Sequence, residues 1–250
     1  MSHVSEEERI VSNVPAWKRI EHQHVKPLLR RLKPWRQAAL GGIRIQYKRH
    51  LDGGGSSFGQ DFIPFFRACG LPVQASVFEW CAGPGFIGFS MLGNGLCKHL
   101  CLADLNKEAV EACRRTIRYN GLEGRASVYH SNNLKSIPRT EHWDLVVSNP
   151  PHFADSGTDD LRSDDRDWRI HREFFEAIGH YLKPNGVIVL QENNRGSTAE
   201  SFRAMIEACG MTIVFVSGGH PQRTEQSHIY YLGVMRRQDS PPSWIKAAPA

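Results

Sequence analysis

The sequence predicts an α/β fold, a mostly parallel sheet with helices on both faces, preceded by a basic N-terminal helical extension. Three observations predict it. From Ser76 to Leu190, short apolar strand-like runs alternate with longer helix-like stretches, the order that builds parallel sheets. One run, Ser76-Val77-Phe78-Glu79-Trp80, breaks into Gly83 and Gly85 before apolar spacing resumes through Met91 and Leu92. Another, Asp144-Leu145-Val146-Val147-Ser148, ends in Asn149-Pro150-Pro151-His152. At 250 residues the chain is long enough to bury a sizeable core.

The first of these runs reads as strand, tight loop and helix. Gly83 and Gly85 let backbone approach a ligand closely, and the following helix N-terminus directs free N–H groups into the same space. A plain structural turn would read the same way. The next strand, Leu100-Cys101-Leu102-Ala103, ends in Asp104 about 20 residues after the loop, where a carboxylate accepts from both hydroxyls of a ribose. That spacing separates a nucleoside site from a bare turn. A helix follows from Asn106 to Asn120, then a strand with Asn133 just beyond it.

The Asn-Pro-Pro-His end has its own chemistry. Successive prolines fix φ and remove two backbone donors, leaving the carbonyls of Asn149 and Pro150 to accept from elsewhere. With the side-chain carbonyl of Asn149, a planar amine can be held between two acceptors while His152 covers its face. A strand-ending turn is the plainer alternative.

Taken in order, the glycine loop at 79–88, Asp104, Asn133, the Asn-Pro-Pro strand and Leu182-Lys183-Pro184-Asn185-Gly186-Val187 resemble the class I S-adenosylmethionine-dependent methyltransferases. The likeness covers roughly residues 60 to 235. Within that class the chain resembles the Asn-Pro-Pro-aromatic branch, HemK-like and known as the methyltransferase small domain. The resemblance implies a Rossmann-like sheet of seven strands. Met211–Val216 and His228–Val234 would be its closing pair, the last strand antiparallel. It also implies S-adenosylmethionine as cofactor. Glu79, Cys81, Gly83 and Gly85 would cradle the methionine end, Asp104 the ribose, and Asn133 the adenine amino group, where the family usually has Asp. Cys81 stands where many members have the first glycine. Asn149, Pro150 and His152 would hold the acceptor nitrogen, His152 as a stacking wall where Tyr or Phe is commoner. Relatives methylate glutamine side chains or exocyclic base amines.

Three domains are expected: a basic extension with a glycine-rich segment over 1–59, the methyltransferase domain over 60–237, and a disordered tail over 238–250. The net charge of +5 belongs to the extension, because residues 1–50 carry eleven Lys and Arg against four Glu, and the rest twenty against twenty-two acids. Helix-like spacing runs from Trp17 through Leu40. Arg30, Arg31, Lys33, Arg36, Arg44, Lys48 and Arg49 offer contacts to nucleic-acid phosphates, or simply a solvated face. Gly53-Gly54-Gly55, followed by Phe58, Gln60 and Asp61, reads as a cofactor lid or a linker. Asp155, Asp159, Asp160, Asp164, Asp165 and Asp167 form an acidic insertion that favours a cationic or neutral acceptor, or a solvated loop.

The six cysteines show no paired framework, which points to reduced thiols and a cytoplasmic protein. Cys97, His99 and Cys101 lack zinc spacing, so no metal is expected. Neither a secretory segment nor a membrane-length apolar run occurs in the sequence. The acceptor stays open among protein, RNA and small molecule. A noncatalytic nucleic-acid-binding or scaffolding protein on the same fold is the alternative. Aminopropyl transfer ranks below it, since that chemistry wants acidic groups where Asn149 and Pro150 stand.

Overall fold

The computed structural model describes residues 34–154, 163–218 and 228–248, the side chains of Phe58 and Ala247 excepted. The helical pattern expected from Trp17 falls outside these residues up to Lys33. The rest of it is corrected: β1 (Arg36–Leu40) and β2 (Ile43–Tyr47) form an antiparallel hairpin. Pro34 disfavours a helix running into this segment, and Gly41-Gly42, both at positive φ, close the two-residue turn. Ile43 and Ile45 point into the core while Arg44 stays exposed. The hairpin is therefore no separate extension. Its backbone is tied to the main domain where Gln46 N donates to Thr116 Oγ1 and Arg44 N to Asn120 Oδ1, each at 2.9 Å.

A short α1 (Gly55–Phe58) and α2 (Phe62–Ala68) lead into the main sheet. Its strands and crossover helices are β3 (Gln74–Trp80), α3 (Phe86–Gly93), β4 (Cys97–Asp104), α4 (Lys107–Asn120), β5 (Ala126–His130), β6 (Trp143–Ser148), α5 (Arg169–Ile178), β7 (Leu182–Asn193), α6 (Ala199–Ala208), β8 (Met211–Gly218) and β9 (Ile229–Arg236). The seven strands lie in the order β5-β4-β3-β6-β7-β9-β8, parallel except for the two pairings made by β9. This is the sheet the sequence implies, with β9 inserted antiparallel.

Successive residues of the central strands face opposite sides of the sheet, and both sides are buried. Val77, Leu145, Val147, Val187 and Val189 face a core shared with the hairpin, α2 and α3. Phe78, Trp80, Val146, Ile188 and Leu190 face a second core under α5 and α6. Rings stack there, Phe78 on Trp143 at 4.1 Å and Trp80 on Phe174 at 3.9 Å. Apolar runs without polar interruption are what a sheet covered on both faces requires.

The disordered tail is also corrected. Ser243–Ala247 form a 3-10 turn whose Trp244 and Ile245 are buried, the indole meeting Phe66 and Phe215 edge-on. Two large apolar side chains in an otherwise polar tail supply enough burial to order it. Among the described residues, no helix is long and apolar enough to cross a membrane.

Candidate cofactor and acceptor site

The site sits where β3, β4 and β6 end. Trp80 pairs with Ser148 across parallel strands, so Cys81 and Asn149 leave the sheet at the same level. Ala82 N donates to Ala103 O, which brings the glycine loop beside Asp104. Carboxyl edges of open α/β sheets collect ligands for this reason: the loops diverge there and helix N-termini face the gap.

Backbone donors organise the cofactor half. Gly85 opens α3 at φ 82°, where a Cβ would lie 2.7 Å from Leu102 and Phe89. Asp104 Oδ2 accepts from Gly83 N and Oδ1 from Asn106 N, both at 2.7 Å. Each oxygen keeps a second lone pair for a hydroxyl. Burial pushes the Asp104 carboxyl above its usual value.

Glu79 does not stand open toward a ligand. It is 2 % exposed, and its oxygens accept from Ile87 N at 3.2 Å and Gly88 N at 2.7 Å, the first free donors of α3. Burial, outweighing these two bonds, pushes it up to about 8. Cys81 adopts φ 51°, a left-handed conformation that glycine takes at less cost. Its thiol is raised well above the ordinary value by burial, then by the charges of Asp104, Asp165, Glu192 and Glu79.

Asn133 is held at φ 54°, and its Nδ2 donates to Ile170 O at 2.9 Å. Its Oδ1 is buried with no hydrogen-bond partner. An orphan acceptor of this kind costs free energy until a donor meets it, and an adenine amino group is such a donor. Leu105, beside Asp104, is 57 % exposed, an apolar surface that sequence reasoning overlooked. Leu51 O would lie 3.9 Å from a Cβ on Gly83, so the segment ahead of α1 reaches the glycine loop. That segment is a compact turn: Asp52 Oδ1 accepts from Gly54 N and Ser56 N. Gln60 is exposed and donates to Ser56 O at 3.2 Å; the Phe58 side chain lies outside the described residues.

In the acceptor half, the Asn149 side chain makes no hydrogen bond among the described residues, whereas Pro150 O lies 3.3 Å from His152 Nδ1. The histidine is folded back on its own motif, with Phe153 against it at 4.7 Å. A network that sequence reasoning missed stands behind. His171, fully buried on α5, lies 2.7 Å through Nδ1 from Asp165 and 3.1 Å through Nε2 from Glu192. Burial alone would lower His171, but hydrogen bonds to both carboxylates and their charges hold it up to about 9. Asp165 also caps α5 by accepting from Ile170 N and His171 N. The acidic insertion is thus not simply solvated: Asp164 and Asp165 are buried, while Asp155, Asp159 and Asp160 lie outside the described residues.

Comparison with known proteins agrees with this geometry. The family model for the methyltransferase small domain matches residues 68–213. A release factor glutamine methyltransferase of Leptospira interrogans is 30% identical over 103 residues, 41% of this chain and 36% of that protein. Ribosomal RNA small subunit methyltransferase C of an Enterobacter species is 30% identical over 125 residues, 48% of this chain and 33% of that protein. The match thus spans about a third of each of these relatives. The T. thermophilus 16S rRNA methyltransferase solved in complex with AdoMet and guanosine superposes with a TM-score of 0.56 at 15% identity, covering 82% of this chain and 50% of that one. With the family model spanning the glycine loop, Asp104, Asn133 and the Asn-Pro-Pro strand, the chain belongs to the methyltransferase small domain family, whose cofactor is S-adenosylmethionine.

Proposed function

We propose that the protein is an N-methyltransferase acting on a planar amide, guanidino or exocyclic amine nitrogen held by Asn149, Pro150 and His152. The observation that carries this reading is the Asn149 amide. It emerges beside the glycine loop, and among the described residues its side chain makes no hydrogen bond. The Asn149 side-chain carbonyl and the Pro150 carbonyl accept the two hydrogens of the acceptor amine, which aims the nitrogen lone pair along one line. The bound cofactor supplies an electrophilic methyl group on a sulfonium. Glu79 holds α3 in place, and Asp104 and Asn133 orient the nucleoside. Conjugated nitrogens are weak nucleophiles, and acceptors on both N–H bonds localise the lone pair as the methyl arrives. The extra proton leaves after transfer, so His152 serves as a wall and no general base is assigned.

Relatives named for a release factor and for ribosomal RNA favour a macromolecular acceptor. The test is incubation of the protein with methyl-labelled S-adenosylmethionine and a cell extract, followed by separation of protein, RNA and small molecules. Label in protein or RNA is expected. Label confined to small molecules would replace this acceptor class with a metabolite. A protein that binds the cofactor yet labels no fraction would be the noncatalytic alternative.

A further inference from the structure

We propose that His171 is a positioning residue for methyl transfer: by bridging Asp165 and Glu192 it locks together the two backbone supports that hold His152 and Phe153 against the acceptor. This rests on the acceptor assignment above.

The first support is the segment returning from the acidic insertion. Phe153 N donates to Ser163 O at 2.9 Å and Asp165 N to Phe153 O at 2.7 Å, so the chain just after His152 is laced to the residue that meets His171 Nδ1. The second is the turn after β7. A Cβ on Gly196 would lie 2.2 Å from His152 O and 2.6 Å from Phe153 Cδ1, so this turn is pressed on the motif. The next residue, Ser197, donates from Oγ to Glu192 Oε2 at 3.3 Å and meets Tyr230 Oη at 3.1 Å. Glu192 Oε1 in turn faces His171 Nε2. One imidazole therefore joins, through its two nitrogens, both supports of the acceptor wall.

The surroundings keep that ring in a single pose. Phe202 stacks on it at 4.6 Å, and Trp80 and Trp168 meet it edge-on at 5.4 Å and 5.7 Å. Asp167 and Trp168, which lead into α5, both sit at positive φ, a conformation that persists only where neighbours over-determine it. Two buried carboxylates facing each other across a neutral gap would repel. A doubly donating ring between them satisfies both, and removing it leaves buried charge unpaired. The arrangement costs more than an apolar core of the same size, which suits a device that specifies geometry.

The experiment uses the full chain. For wild type, His171→Gln and Gly196→Ala, label transfer from methyl-labelled S-adenosylmethionine is followed at a series of cell-extract concentrations, giving a plateau rate and a half-saturation point. Cofactor affinity and hydrogen exchange at residues 152–154, 163–168 and 194–198 are measured alongside. His171→Gln is expected to lower the plateau about 30-fold, with half-saturation and cofactor affinity within about threefold, and to speed exchange in those three segments but not in α3 or α4. Glu192→Gln added to His171→Gln should recover part of the rate by replacing unpaired charge with amide hydrogen bonds. Should His171→Gln fail to fold, Gly196→Ala carries the test, because its methyl group displaces His152 while leaving the ionic network intact. It should reproduce the loss of plateau rate. A folded His171→Gln protein at wild-type rate, or a Gly196→Ala protein at wild-type rate, overturns the inference. Wild type that labels nothing overturns the acceptor reading instead, and the exchange data then still judge the clamp.

Discussion

The cofactor half and the acceptor half of this site are built by opposite strategies. Around the glycine loop, backbone amides do most of the holding: Gly83 N and Asn106 N on Asp104, Ile87 N and Gly88 N on Glu79. All partners there lie within about one strand–helix–strand unit. Behind the acceptor motif, side chains from two places, Asp165 and His171 at the start of α5 and Glu192 near the end of β7, are bonded to one another in the interior. A site fixed by backbone donors tolerates side-chain change and is set by local fold, whereas a site fixed by a buried ionic network depends on every member.

The comparison breaks most visibly at Asn149. Asn149→Ala is expected to lower label transfer about 100-fold or more, the usual cost of losing a preorganised polar contact to a reacting group. Cofactor affinity, read by calorimetry, should stay within about threefold. Turnover close to wild type would move the acceptor elsewhere.

On the other side, Asp104→Ala is expected to weaken cofactor binding by about tenfold to a hundredfold, the worth of one or two hydrogen bonds to a charged group. Equilibrium titration with S-adenosylhomocysteine checks it. An unchanged affinity would show that the ribose is held by another group.

A pH experiment sharpens the contrast between Glu79 and His171. Glu79 is pushed from 4.5 up to about 8 in the folded state, so the native protein binds a proton that the unfolded chain has released. Its contribution to stability is complete below pH 4.5 and is lost as pH rises through 8. His171, raised from 6.5 to about 9, acts with the same sign but in a later window. Urea unfolding between pH 5 and 6.5 lies below the His171 window, and Glu79→Gln should flatten the decline there by about 1 to 2 kcal/mol, leaving the part that comes from the raised Asp104 carboxyl. Equal slopes in variant and wild type would remove Glu79 as the source.

The smallest effect is expected at Cys81. Cys81→Gly relieves a left-handed residue but gains chain entropy in the unfolded state, so stability should change by less than about 1 kcal/mol. A large loss would mean that the thiol packs in a way its backbone strain does not reveal.

Much of the fold was legible because each signal is local. The helix after Asp104 starts where Asn106 caps it and ends where Gly121 turns left-handed, over the stretch the sequence predicts. The parallel strands declared themselves through short apolar runs such as Leu145-Val146-Val147 and Val187-Ile188-Val189-Leu190. The hairpin did not, since Arg36–Leu40 is too short and mixed to separate from helical periodicity, and only Pro34 and Gly41-Gly42 hinted at it. The tail was misread because two apolar residues among prolines carry no periodicity, and the hydrophobic surface that receives them comes from α2 and β8.

For the site, the sequence by itself determined the chemical inventory and the order of the candidate cofactor residues, because a strand end and the next helix start are neighbours in the chain. It also marked the Asn-Pro-Pro-His end, since prolines remove donors wherever they stand. Only the tertiary structure decided that Glu79 serves a helix, that Asn133 keeps a buried carbonyl unpaired, and that Asp165, His171 and Glu192 meet. A histidine on the apolar face of a helix and an aspartate among several look ordinary in sequence. Burial makes them a network, because charge taken from water must find its partners inside the fold.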